Sequence, residues 1–141
     1  MELQDAIVHS INGMSTEVCD EAEIPKAEIR EIDVAANCTM MHMLLGVDAR
    51  SIGRAPYRPE FTEAKRLPAS GIGIEAGKDT LLYCLPQVSG YIGADIVGGA
   101  YVCALQKEKG RVLFIDIGTN GEIVLASQGR ILCCSCAAGP A

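Results

Sequence analysis

The sequence predicts a mixed α/β chain that closes on an antiparallel three-strand meander. Two observations carry this. Apolar residues recur at helical spacing in two segments before residue 46, with short apolar strands interleaved and following. Near the other end, the runs VLFIDIGT, GEIVLAS and RILCCSCAA follow in quick succession, joined only by TNG and SQGR. Connections that short, one of them carrying Asn-Gly, are hairpin connections.

Residues 1–14, MELQDAIVHSINGM, set Leu3, Ala6, Ile7, Ile11 and Met14 on one helical face. Gly13 and Ser15 mark where that helix is expected to stop. REIDVAA, residues 30–36, reads as a buried strand. Asn37 then stands as an N-cap for a helix through CTMMHMLL, and Gly46 supplies its C-terminal stop. From Val47 to Lys78 periodicity is lost, interrupted by Pro and Gly (APYRPEF, RLPASGIGIEAGK). A wandering connection with short strands, laid over the sheet, is expected there. TLLYCLPQ is an apolar strand stopped by Pro86. SGYIGADIVGGAYVCAL gives a Gly-rich loop and a helix from about Ala94 to Leu105, and KEKG is a turn. The shift from alternating α and β to a meander near Gly110 sets the expected boundary, with residues 1–109 on one side and 110–141 on the other.

At 141 residues, with 49% hydrophobic content but only 4% aromatics, the chain is long enough for one aliphatic core. The net charge of −6, with Lys and Arg scattered, argues against a nucleic-acid surface, which needs a clustered basic face. No apolar run reaches the ~18 residues of a membrane span and no signal peptide is visible, so a soluble, cytoplasmic chain is expected. Seven Cys is an odd number for a disulfide framework, and they sit in apolar runs (YVCAL, LLYCL, ILCCSC). Reduced thiols packed as small hydrophobes are the expectation.

The stretch FIDIGTNGEIVL carries the chemistry. A hairpin turn explains Asn120 and Gly121, but not the Asp before it or the hydroxyl of Thr119. Gly118 and Gly121 lack a Cβ, so an anion can approach the backbone closely, and successive N–H groups at such a turn form a nest. Thr119 and Asn120 add side-chain donors. Asp116, at the end of its strand, is placed to hold Mg²⁺ through water, since Mg²⁺ keeps most of its hydration. The competing reading is an ordinary hairpin with an exposed Asp. Asp95 opens a helix, where the helix dipole alone is reason enough for a carboxylate; alternatively it orients Mg²⁺ or attacking water in a cleft. Asn37 and Thr39 lie where a strand enters a helix, a capping position or a ligand contact. His42 reads as a packed histidine. The CCSC run offers no tetrahedral metal site. Alternate residues point to opposite faces, and no second Cys pair exists to converge on them.

DIGTNGEI on the first hairpin of an α/β domain resembles a phosphate motif of the actin–hexokinase–Hsp70–acetate kinase superfamily. The similarity extends further. AANCTMMHMLLGVDARSIGRAPYRP, QVSGYIGADIVGGA, DIGTNGEIVL and the terminal CAAGPA follow in the order found in the ATP-dependent reductive activators of corrinoid proteins. It runs from about Leu3 to Ala141. Two positions depart from the pattern: Ala36 stands for the usual Gly, and Cys38 for the first Thr after Asn37.

The resemblance implies a partial actin-like (ribonuclease H-like) ATPase fold, with the end of the first lobe and middle region before residue 110 and the start of the second lobe after it. It implies ATP and Mg²⁺ as cofactors, with Gly118, Thr119, Asn120, Gly121, Asn37 and Thr39 around the nucleotide, Asp95 and Asp116 as catalytic carboxylates, and Asp116 beside the metal. A corrinoid protein is the implied partner. The [2Fe–2S] ferredoxin domain of these activators has no cysteine pattern here, and no second DxGTT stands near the start, so an internal or truncated piece is expected. The alternative function is a non-catalytic module that contacts a corrinoid protein without binding nucleotide. A thiol-rich metal-binding domain is disfavoured by the spacing. Gly139 and Pro140 are expected to shape the turn into a following element. With Leu132, Cys134 and Cys136 uncovered on the last strand, a homodimer or aggregate of this chain alone is expected.

Overall fold

A computed structural model of the chain describes residues 2–118 and 120–137. Three helices, α1 (Glu2–Glu21), α2 (Cys38–Leu44) and α3 (Ala94–Val102), combine with six strands: β1 (Glu31–Val34), β2 (Lys65–Pro68), β3 (Leu81–Cys84), β4 (Arg111–Ile117), β5 (Asn120–Ser127) and β6 (Arg130–Ala137). The first sheet has the order β1-β3-β2, with β1 and β3 parallel and β2 antiparallel to β3. The second is the expected meander, β4-β5-β6, antiparallel throughout.

Helix α1 runs past Gly13 and Ser15 to Glu21. The expected stop fails because a glycine inside a helix costs only about 1 kcal/mol, and the middle of this helix is held from outside. The Asn12 side chain donates to the Gly73 carbonyl and accepts from the Glu75 N–H, both at 2.9 Å. The helix ends instead where Glu23 turns left-handed, at φ 56°. Strand β1 is shorter than the sequence suggests and only half-buried on alternate residues. The connection 47–78 is largely irregular and carries a short strand, as expected. It contains β2 and a short 3₁₀ turn at Ala69–Ile72, and is pinned by the buried Ile52, Phe61 and Ile74. Helix α3 stops at Val102 rather than Leu105, because Ala104 adopts a left-handed conformation and a 3₁₀ turn follows.

Two apolar clusters form the interior. The first gathers Val8, Met41, Leu44, Phe61, Leu82, Cys84 and Ala94 between α1, α2 and the first sheet. The second gathers Ile92, Ile96, Leu105, Val124 and Ala126 between α3 and the meander. Helix α3 serves both. Gly98 would bring a Cβ to 3.4 Å from Leu85, in the first body, and Gly99 would bring one to 2.6 Å from Phe114 of β4. Adjacent glycines thus let each sheet approach the helix backbone.

His42 is fully buried, as a packed histidine should be. The Glu60 N–H can only donate, so Nε2 accepts it at 3.1 Å. The proton therefore sits on Nδ1, which donates to the Cys38 carbonyl at 2.8 Å. The ring stacks on Phe61 at 4.5 Å, which ties the connection 47–78 to α2. In the meander, Leu132, Cys134 and Cys136 are exposed.

The thiols divide by burial. Burial pushes the Cys38 thiol above its ordinary pKa, the charge of Asp95 pushes it further, and a hydrogen bond with Gln87 works against both. Burial alone raises Cys84. With a folded pKa above the unfolded 9.0, each neutral thiol contributes stability that is full below pH 9 and lost as pH rises through the folded value. Iodoacetamide at neutral pH is expected to alkylate the exposed Cys103, Cys133, Cys134 and Cys136 and to spare Cys38 and Cys84 until the chain is unfolded. Mass spectrometry of the labelled protein checks this; early labelling of Cys38 would contradict the packing described.

Candidate functional site

The site forms where strand β1 hands over to α2. Asn37 leaves the strand at φ −63° and ψ 162°, and its Oδ1 accepts the Met40 N–H at 2.9 Å. This is the expected N-cap, and it fixes the start of α2. One residue earlier, the Ala36 carbonyl accepts the N–H groups of both Ala94 and Asp95, at 2.9 and 3.3 Å. That carbonyl locks the first turn of α3 onto the N-terminus of α2.

Contact between the two turns is close enough to require glycine. A Cβ on Gly93 would lie 2.6 Å from the Asn37 Cα and 3.0 Å from the Ala36 oxygen, both backbone atoms. The Asp95 carboxylate turns back to accept the Ile96 N–H at 2.9 Å. So the leading donors of α3 are already taken, and at the hairpin apex the Gly118 N–H is taken as well, by the Asn120 carbonyl at 3.0 Å.

The hairpin β4–β5 approaches from the second sheet. Its register pairs Asp116 with Glu122 and Ile117 with Gly121, symmetrically about residue 119. Directly opposed residues share a face, so Asp116 and Glu122 stand side by side on the face that carries Phe114 and Val124 towards α3. Ser135 on β6 donates to Glu122 Oε1 at 2.9 Å, orienting that carboxylate.

These pieces enclose a cleft of about 1170 Å³, lined in part by Asn37, Thr39, Gly93, Asp95, Asn120 and Glu122. Four residues singled out from the sequence, Asn37, Thr39, Asp95 and Asn120, therefore meet in one place although they lie on three separate segments. Asp116 is half-buried and adjoins the cleft through its partner Glu122. Gly118 lies at the hairpin apex, where among the described residues an added Cβ would meet the Asn120 oxygen, at 3.7 Å. Gly121 is buried, and its carbonyl faces the Cys136 thiol at 3.4 Å. Thr119, Gly139 and Pro140 lie outside the described residues.

Sequence reasoning missed Glu122 and Gly93. Glu122 was legible in principle: a hairpin centred on Thr119 places it opposite Asp116. Gly93 had no local signal, because the backbone it touches is 56 residues away. Among the described residues no group of three His, Cys, Asp or Glu side chains converges to hold a metal ion. The two opposed carboxylates suit an oxygen-loving cation that brings its own water and phosphate ligands, rather than an all-protein cage.

A meander whose first hairpin carries an Asp and a Gly-rich apex beside a cleft, with an α/β body before it, is the ASKHA arrangement of actin-like ATPases, present here in part. Residues 1–108 match the family model for the RACo middle region, and residues 110–141 match that for the C-terminal domain of RACo, the ASKHA domain. The chain belongs to the RACo family. It is 29% identical over 140 residues to "Corrinoid activation enzyme RamQ" of Eubacterium limosum, which covers 99% of this chain and 23% of that protein. A solved structure, "Reductive activator for corrinoid,iron-sulfur protein", superposes with a TM-score of 0.93 at 37% identity, over 99% of this chain and 22% of that one. The chain thus spans under a quarter of the length of the relatives it matches.

Adding one methyl at Gly93 tests the joint. Overpacking against backbone typically costs 1–3 kcal/mol, so Gly93→Ala is expected to lower stability by about 2 kcal/mol in urea denaturation. Gly118→Ala, with open space around it, is expected to change stability by less than about 0.5 kcal/mol. Equal effects at the two positions would contradict the described contact.

Proposed function

We propose that this chain supplies part of the nucleotide cleft of an ATP-dependent reductive activator, which drives electrons from a [2Fe–2S] domain outside this chain to the cobalt of a corrinoid protein. Residues 1–109 form the wall contributed by the end of the first lobe and the middle region, and residues 110–141 begin the second lobe. One observation carries the reading: Asn37, Thr39, Asp95 and Asn120 converge on a single cleft beside the Asp116–Glu122 pair.

Gly118 and Gly121 let the hairpin backbone approach phosphate oxygens, and Asn120 and Thr119 add donors. Asp116 and Glu122 would hold Mg²⁺ through water, and the metal would neutralise charge on the phosphates. Asp95 orients the attacking water from the opposite wall. The seven free thiols suit a reducing compartment, so the cytoplasm is the proposed location. The names of the relatives, a corrinoid activation enzyme and a reductive activator for a corrinoid iron–sulfur protein, support the choice of partner. Gly118 supports the choice of ligand. It has no positive φ, and among the described residues nothing crowds a Cβ there.

Binding by this chain alone is expected to be weak. Each missing charge-assisted hydrogen bond from the opposing parts of a cleft costs roughly 1.5–3 kcal/mol, so losing two or three weakens affinity at least about a hundredfold. The measurement is an NMR titration with MgATP up to millimolar concentration. Shifts are expected at the amides of Asn37, Asp95, Gly118, Asn120 and Gly121. Gly118→Val and Asp116→Ala are expected to remove them while the melting temperature stays within a few degrees. A titration that leaves the hairpin amides unmoved would sink the nucleotide reading and leave an ordinary turn.

A further inference from the structure

We propose that the exposed loop 50–58, together with Tyr91, is a docking surface for an acidic face of a protein partner. Three of the chain's 12 cationic residues, Arg50, Arg54 and Arg58, fall within nine positions of this loop, in a chain whose net charge is −6. Asp48 occupies one guanidinium, Arg50, at 2.6 Å, and that hydrogen-bonded pairing, with Arg54 nearby, holds its carboxyl down at about 2. Arg54 and Arg58 take part in no ion pair among the described residues. Planar guanidinium groups left free in this way match carboxylates two bonds at a time.

Residues 53–58, GRAPYR, are exposed without interruption, yet the loop is anchored. Ile52 is buried beneath it and donates its N–H to the Ala49 carbonyl at 3.1 Å. The Tyr57 N–H donates to the Arg54 carbonyl at 2.6 Å, and the Tyr57 carbonyl lies 2.9 Å from where a Cβ on Gly90 would stand. A loop held this way loses little entropy when a partner seats on it.

Tyr57 itself sits at φ 58°, in the left-handed region that tyrosine rarely adopts. Glycine would occupy that backbone at lower cost, so what the position offers is the ring. That ring is 45% exposed and contacts Tyr91, 54% exposed, with centroids 5.8 Å apart and planes tilted by 56°. Rings already in tilted contact leave no slot for a flat ligand between them. They form one ridge. Exposed Tyr beside Arg, with no Lys in the loop, is the composition of interface hot spots. A nucleic acid would need a longer basic stripe, whereas here the carboxylates of Asp48 and Glu60 border the arginines. An acidic protein face is the better fit. Tyr57 and Tyr91 also line the cleft, so the partner would sit at its mouth.

The inference rests on the proposed function only for its probe, a corrinoid iron–sulfur protein. Its binding to the immobilised chain is measured for wild type, Tyr57→Gly and Arg54→Glu/Arg58→Glu, each at low and physiological ionic strength. Tyr57→Gly is expected to weaken Kd at least about tenfold with the melting temperature unchanged or raised, a combination that a merely structural tyrosine would not give. The arginine double variant is expected to weaken binding and flatten its salt dependence. Either variant binding like wild type overturns the proposal, as does wild type failing to bind. Displacement of the probe by a single-stranded DNA oligonucleotide overturns it in favour of a nucleic-acid surface. The MgATP titration is independent of all these outcomes, so loss of the docking surface and loss of the nucleotide reading are told apart.

Discussion

Everything at the cleft depends on one carbonyl. The Ala36 oxygen accepts two N–H groups from the first turn of α3, and the Gly93 backbone lies against Asn37 because no side chain intervenes. A helix start leaves its first four N–H groups without partners inside the helix. Here two of those four are met by the Ala36 carbonyl, two residues beyond β1, which fixes α3 to α2 and to the first sheet at once. Without it, the first sheet and the meander would be two bodies sharing a chain. With it, α3 presents Ala94 to one apolar cluster and Ile96 to the other, and the meander is carried into place on the far side of the helix.

The joint also explains the electrostatics of the cleft wall. Asp95 is placed by the N-terminus of α3, where a carboxylate is favoured by the helix dipole, and its Oδ1 caps Ile96. Cys38 opens α2 nearby, buried to 2% exposure. A thiol in that position is kept neutral by burial and by the negative carboxylate. The pattern that this region resembles has threonine there. The substitution keeps a small group of similar size, and the raised pKa of the thiol means that it adds no charge to the wall.

Local chemistry made part of this legible in the sequence. Asn37 capping α2, Asn-Gly turning the hairpin and the three-strand meander all follow from residue types acting within a few positions of themselves. Short strands were expected within 47–78, but the position of β2 was hidden for the opposite reason. KRLP has no alternation long enough to read and contains a proline; it is a strand only because β3 offers an edge to pair with. The continuation of α1 through Gly13 was hidden too, since the side chain that steadies it reaches Gly73 and Glu75. At the site, the hairpin could be read, and so could the register that brings Glu122 opposite Asp116. The meeting of Asn37 with Gly93 and Asp95 could not, because it is made by backbone contacts across more than fifty residues.

Two glycines with opposite surroundings show how the chain's own needs separate from those of a ligand. At Gly93 the surrounding backbone leaves less than the room a Cβ needs, so the fold alone demands glycine. At Gly118 the nearest atom is 3.7 Å from a Cβ that is not there, and no positive φ is imposed. Among the described residues, packing supplies no reason for the second. A carboxylate stands two residues before that apex and an amide two residues after it, which is the setting the proposed nucleotide reading uses. The same contrast appears at Tyr57, where a large ring is kept at a backbone conformation that would suit glycine better. At Gly118 the described residues leave room for a side chain that the chain omits, and at Tyr57 the chain keeps one that the backbone conformation would sooner lose. Tyr57 lines the cleft, and Gly118 lies two residues from Asn120, which lines it too.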